Sequence, residues 1–139
     1  MTTIAFKDGV LASDSLVTSG GQRDGFSQKI WRHKKVLIGG AGCTAICHRF
    51  CEWVRGGMKG RCPIEGHNNA NGFIIAPDGA MVVWGSQGPW VNTTGMVAFG
   101  SGGDLAMGAM LAGASAVDAV AAAIKLDVNS GGPIRSLTL

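Results

Sequence analysis

Thr2-Thr3-Ile4-Ala5-Phe6-Lys7-Asp8-Gly9-Val10-Leu11-Ala12-Ser13-Asp14-Ser15 opens the chain and decides how the rest is read. Thr2 to Phe6 and Val10 to Ser13 are two short β-prone runs. Lys7-Asp8-Gly9 between them is a hairpin turn, with glycine where a positive φ carries no Cβ penalty. The chain therefore begins with an antiparallel pair, and two polar groups of interest sit where that pair starts and ends: the threonine at 2, and Asp14.

Outward from this hairpin, Asp14 to Gly21 reads as a loop. Ser27 to Arg32 and Lys35 to Gly39 read as the next strands, with Gly39-Gly40-Ala41-Gly42 as a tight exit. Cys43 to Val54 is the strongest helix signal. Cys43, Ile46, Cys47, Phe50, Cys51 and Val54 recur at three- and four-residue steps, giving one apolar stripe that Gly56-Gly57 ends. Met58 to Asn71 is rich in breakers and reads as loop. Gly72 to Ala76 and Ala80 to Trp84 flank Pro77-Asp78-Gly79 as a second hairpin. Met96 to Phe99 is a further strand running into Gly100-Ser101-Gly102-Gly103. Asp104 to Leu111 is helical. Ser115 then caps another helix, with Asp118 in the acidic place of a capping box and Val117, Val120, Ala121 and Ile124 as its buried face. Asp127 lies at that helix's end, and Pro133 to Leu139 forms a last strand. Antiparallel hairpins with clustered helices give an α+β fold rather than an alternating parallel sheet.

Composition bounds the rest. The 139 residues suffice for one domain, 1–139, with a real core and no room for a second. The chain is 46% hydrophobic and 15% charged, which is globular rather than disordered. A net charge of +3 without basic runs interleaved with aromatics does not suggest nucleic-acid binding. Neither a signal peptide nor a membrane-spanning run is evident, so a cytoplasmic location is the default expectation. The four cysteines are then expected as free thiols.

Thr2 carries the chemistry. Methionine before a small residue is a good substrate for N-terminal trimming, so the mature protein is expected to begin at Thr2. Such a residue has a hydroxyl nucleophile and a free amine that can serve as its base. With Asp14, Lys29, Ser101, Asp127 and Ser130 it forms a constellation. The ordered motifs Thr2-Thr3-Ile4-Ala5, Ala12-Ser13-Asp14-Ser15 with Thr18, Lys29-Ile30, Gly40-Ala41-Gly42, Gly100-Ser101-Gly102 and Asp127-x-x-Ser130-Gly131-Gly132 resemble the proteasome β-subunit and HslV family of N-terminal-nucleophile hydrolases. They cover nearly the whole chain.

The resemblance implies a four-layer αββα sandwich of two antiparallel sheets flanked by helices. It implies a threonine-type endopeptidase with Thr2 as nucleophile, Lys29 favouring the neutral amine and developing alkoxide, and Asp14 holding that lysine. Ser101, Asp127 and Ser130 would position the amine and relay protons, and the Gly42 N–H would stabilise the oxyanion. Val17, Trp31, Gly40 and Thr44 would line the specificity pocket. Neither metal nor organic cofactor is implied. The implied partners are peptide or unfolded-protein substrates, further copies of the chain in a homo-oligomeric ring, and an ATPase unfoldase. The family also places a second long helix after the first. Met58 to Asn71 is too short to supply it, and the chain stops soon after Gly131-Gly132, so a compact member is expected. No long propeptide is expected before Thr2, so autocatalytic release of a leader is not expected to be required.

Other readings of the same residues stay open. Asp14 is also a plausible turn aspartate, Ser101 a helix cap, Ser130-Gly131-Gly132 a plain loop, and Lys34 and Lys35 compete with Lys29. Cys43, Cys47 and Cys51, with His48 or Cys62, are a metal-type grouping or simply small core residues. Gly100 to Gly103 has part of a phosphate-loop pattern. Trp84 and Trp90 bracket a Gly-rich loop as contact surface or core. A non-catalytic ring or assembly protein, or a small-amide hydrolase, remain the alternative functions.

Overall fold

A computed structural model describes residues 2 to 139; the expected removal of Met1 lies outside the described residues. The opening hairpin is present as β1 (Ile4–Lys7) and β2 (Val10–Ser13), paired Ile4 to Ser13 through Lys7 to Val10. β3 (Leu16–Ser19) and β4 (Gln22–Phe26) follow, then β5 (Ile30–His33), β6 (Val36–Gly42) and α1 (Thr44–Arg55). β7 (Ala70–Ile75), β8 (Met81–Gly85), β9 (Gly88–Asn92) and β10 (Val97–Phe99) lead to α2 (Gly103–Leu111), α3 (Ala116–Leu126) and β11 (Arg135–Thr138). The sheets run β10-β1-β2-β11, β5-β6-β7-β8-β9 and the separate pair β3-β4, with every pairing antiparallel.

Strand alternation explains why these elements stack. Ile4 and Phe6 share one core cluster with Leu11, while Ala5 and Ala12 between them lie in another. Leu37, Phe73, Ile75, Met81 and Val83 of the five-stranded sheet join Ile4 and Phe6, so the two sheets face one another across this cluster. The opposite face of the five-stranded sheet, with Ile38 and Trp84, packs on Ile46, Cys47, Phe50, Cys51 and Val54 of α1. Ala5 and Ala12 pack on Ala106, Met110, Ala119, Val120 and Ala123 of α2 and α3. The inner strands of each main sheet are buried on both faces because successive side chains point to opposite sides, while the edge strands β9 and β11 are mostly exposed. Among the described residues no helix is long and apolar enough to cross a membrane.

Four local expectations are corrected. Asp14 to Gly21 is not all loop: β3 and β4 form a hairpin around Gly20-Gly21 whose tip is exposed. Gly39 to Gly42 is not an exit from a strand but part of β6. Glycine is needed there for packing, because a Cβ on Gly39 would lie 2.1 Å from the Phe73 ring and one on Gly40 2.7 Å from Cys47. Gly88 to Asn92 is an edge strand, which tolerates Pro89 because the outer N–H groups have no ladder partner. The buried face of α3 is Ala116, Ala119, Val120 and Ala123, with Val117, Ala121 and Ile124 only partly buried. Its cap is as expected, the Asp118 N–H donating to Ser115 Oγ at 3.1 Å.

Candidate active site

The start of β1, the end of β2 and the turn after α3 meet at Asp14. Thr2, Thr3 and Asp14 are almost wholly enclosed, at 2%, 0% and 0% exposure. Asp14 has four donors around its carboxylate. Oδ1 accepts from Thr3 N–H at 3.0 Å and Lys29 Nζ at 2.8 Å, and Oδ2 from Leu16 N–H at 3.3 Å and Gly131 N–H at 3.0 Å. Lys29 precedes β5, is buried, and also donates to the Leu16 carbonyl at 2.7 Å. Burial lowers the Lys29 pKa, and the Asp14 carboxylate opposes that shift.

On the other side of Thr2 lies a hydroxyl and carboxylate cluster. Asp127 is the C-cap of α3. Its Oδ2 accepts from Ser101 Oγ at 2.7 Å and Ser130 Oγ at 2.5 Å, and its Oδ1 from Asn129 N–H at 3.1 Å. Burial works to raise the Asp127 pKa. The hydrogen bonds from Ser130, Ser101 and the Asn129 N–H outweigh it and hold the carboxyl below its usual range. Thr2 N lies 3.3 Å from Ser101 Oγ. The strand–helix turn that carries Ser101 must be glycine-lined, since a Cβ on Gly100 would lie 1.9 Å from the Thr2 carbonyl oxygen.

Gly42 ends β6 at φ +109°, where a Cβ would lie 2.1 Å from the Asn69 carbonyl oxygen, so backbone geometry and space both require glycine. A cavity of about 370 Å³ opens here, lined by Thr18, Ser19, Gly42, Cys43, Asn69 and Asn129 among others. Val17 is half-buried in β3 beside Thr18, and Thr44 begins α1 beside Cys43. Trp31 packs edge-on against His48, their ring centroids 5.2 Å apart, and Gly40 backs onto Cys47. The residues that sequence reasoning passed over are Thr3, Asn69 and Asn129. Thr3 reaches the cluster through a bond spanning 127 positions in sequence, which no local pattern signals.

Three of the four cysteines, Cys47, Cys51 and Cys62, are buried in the core. Cys47 and Cys51 lie in the cluster beneath α1, and no group of three His, Cys, Asp or Glu residues suited to a metal occurs among the described residues. Burial pushes the Cys47 thiol up to about 12. Cys43 is half-exposed at the cavity.

No protein family matches the chain's sequence, and no curated protein does. Solved structures do match in three dimensions. Thiobacillus denitrificans BPH in complex with Epoxomicin is 22% identical, with 99% of this chain and 97% of that chain covered and a TM-score of 0.69. Thiobacillus denitrificans BPH is 20% identical over 99% and 96% of the two chains, with a TM-score of 0.68. Eukaryotic HslV from Trypanosoma brucei is 23% identical over 99% and 100%, with a TM-score of 0.73. The fold that the chain's ordered motifs resemble, that of the HslV and proteasome β type, is the fold it has.

Proposed function

We propose that the chain is a threonine-type endopeptidase of the proteasome β and HslV kind, a single catalytic domain over 1–139 built as a four-layer αββα sandwich. The observation that carries the reading is the pair of networks converging on Thr2: Ser101 at its nitrogen, tied through Asp127 to Ser130, and the buried Lys29–Asp14 pair bonded through Thr3 N–H beside it.

In this reading Thr2, freed of Met1, attacks a peptide carbonyl through Oγ1. Its α-amine takes the hydroxyl proton and passes it to the leaving amine. An ester on Thr2 results, and water activated by the same amine hydrolyses it. Lys29 stabilises the developing alkoxide by charge, and Asp14 keeps that lysine oriented. Ser101 and Ser130, both bound to Asp127, aim the amine. Gly42 N–H is the oxyanion donor, worth about 3 kcal/mol of barrier in comparable sites. The substrate lies along the cavity at Gly42, and Val17, Trp31, Gly40 and Thr44, which adjoin its lining residues or the core behind them, are assigned to the specificity pocket by the family resemblance. The chemistry needs no cofactor. Epoxomicin in the BPH structure supports a reactive threonine by analogy.

Substrates are unfolded chains or peptides, and the active form is a homo-oligomeric cytoplasmic ring served by an ATPase unfoldase. A second reading, a non-catalytic ring or assembly protein, draws support from one feature: among the described residues α1 is followed directly by β7, with no second helix between them. A peptidase assay separates the two. Protein beginning at Thr2 should cleave unfolded casein and Thr2→Ala should not; full activity in Thr2→Ala would end the protease reading.

A further inference from the structure

Thr3 is the fully enclosed hydroxyl next to Thr2 for which the mechanism above has no use. Its Oγ1 lies 2.6 Å from Ser130 Oγ. Proton counting gives that bond a direction. Ser130 has one hydroxyl proton, and Asp127 Oδ2 takes it at 2.5 Å. Only lone pairs of Ser130 remain for Thr3, so Thr3 is the donor. The same count applies across the carboxylate. Ser101 has one proton, with Asp127 Oδ2 at 2.7 Å and the Thr2 carbonyl oxygen at 3.4 Å as possible acceptors. The shorter, charge-assisted bond wins, which leaves Ser101 Oγ to accept from Thr2 N. A directed chain therefore runs from Thr3 through Ser130 to Asp127, and another from Thr2 N through Ser101 to the same oxygen. Space for the Thr3 hydroxyl is built into the Ser101 loop, because a Cβ on Gly102 would lie 1.9 Å from Thr3 Oγ1.

We propose that Thr3 is a positioning residue for the reaction at Thr2. Its hydroxyl donates to Ser130 and fixes the Ser130 and Asp127 rotamers that hold Ser101 against the Thr2 amine. The proposal rests on the threonine-nucleophile reading. It needs no contact between Thr3 and substrate, so it predicts an effect on the reaction step and none on binding.

The test uses protein beginning at Thr2 and epoxomicin as the probe, with the inactivation rate kinact and the affinity KI resolved by intact mass against time. Thr3→Val is expected to lower kinact about tenfold, the effect of one hydrogen bond, with KI unchanged. Thr3→Ser restores the rate, because it keeps the donor. Thr3→Ala removes the hydroxyl without pressing a methyl group on Ser130, so the same loss is read there if Thr3→Val does not fold. In Ser130→Ala, a further change at Thr3 adds nothing, because both act through one chain. Unchanged kinact in both Thr3→Val and Thr3→Ala, an equal loss in Thr3→Ser, or losses that multiply in the double variant would overturn the proposal. Reactive wild type with an indifferent Thr3 removes only this role, whereas wild type inert to epoxomicin removes the parent reading and this one with it.

Discussion

Asp14→Asn replaces a buried carboxylate by an amide of nearly the same shape, and the geometry dictates the consequence. Oδ1 serves Lys29 Nζ and Thr3 N–H, and Oδ2 serves Leu16 N–H and Gly131 N–H. Asparagine offers one oxygen and one NH2 group, so in either orientation two donors face another donor. Keeping oxygen toward Lys29 orphans the Gly131 N–H, while the Leu16 N–H keeps the Gly131 carbonyl oxygen at 3.1 Å. At about 1–3 kcal/mol for an unsatisfied buried donor, the loss is about 1–3 kcal/mol. That is a measurable part of the ~5–15 kcal/mol that holds a typical domain together. Loss of charge acts in the same direction: burial already lowers the Lys29 pKa, and the carboxylate that opposes it is gone. The assay is urea unfolding at neutral pH followed by tryptophan fluorescence, with the slope checked for constancy. Asp8→Asn, on the exposed turn after β1, is the matched control and should stay within about 0.5 kcal/mol of wild type. A loss for Asp14→Asn no larger than that of Asp8→Asn would refute the reasoning, since an orphaned buried donor costs about 1 kcal/mol or more.

Three further outcomes follow from the same geometry. Gly42→Ala drives a Cβ toward the Asn69 carbonyl and should lower kcat about 100-fold or more while the protein still folds; near-normal turnover would remove Gly42 N–H from the oxyanion site. Asp127 has a native pKa below its unfolded one, so the unfolded chain takes up its proton first as pH falls. Its stabilisation is complete above the unfolded carboxylate pKa and fades as pH falls through the native value. The urea-midpoint gap between wild type and Asp127→Asn should therefore shrink from neutral pH toward about pH 3, and a gap independent of pH would contradict the assignment. Brief iodoacetamide treatment of native protein should label Cys43 and spare Cys47, whose thiol burial pushes up to about 12; peptide mapping that finds Cys47 modified as fast as in urea would contradict its burial.

What was legible in the sequence had a period or a turn signature. The opening hairpin and α1 were readable because Asp8-Gly9 is turn chemistry and the stripe from Ile46 to Val54 repeats at helical spacing. The β3-β4 hairpin was not, because Ser19 to Asp24 is exposed and carries no apolar alternation. The strand at Gly39 to Gly42 was hidden for the opposite reason. Its glycines answer to the Phe73 ring of a neighbouring strand and to Cys47 on the helix packed over the sheet, and mimic a turn when read alone. Glycine and proline likewise masked β9, where an edge position relaxes the usual rule. The site was legible as an ordered set of short motifs, but not as a network. Asp14 reaching Gly131, and Thr3 reaching Ser130, are contacts that only the folded chain creates.

The most direct test of a reactive Thr2 is the intact mass of protein beginning at Thr2 after incubation with an epoxyketone, beside Thr2→Ala treated alike. Such reagents bond both the hydroxyl and the free amine of an N-terminal threonine. The account predicts one adduct on the wild type and none on the variant. Wild type that stays unmodified, or a Thr2→Ala variant that takes up the reagent equally, would contradict it.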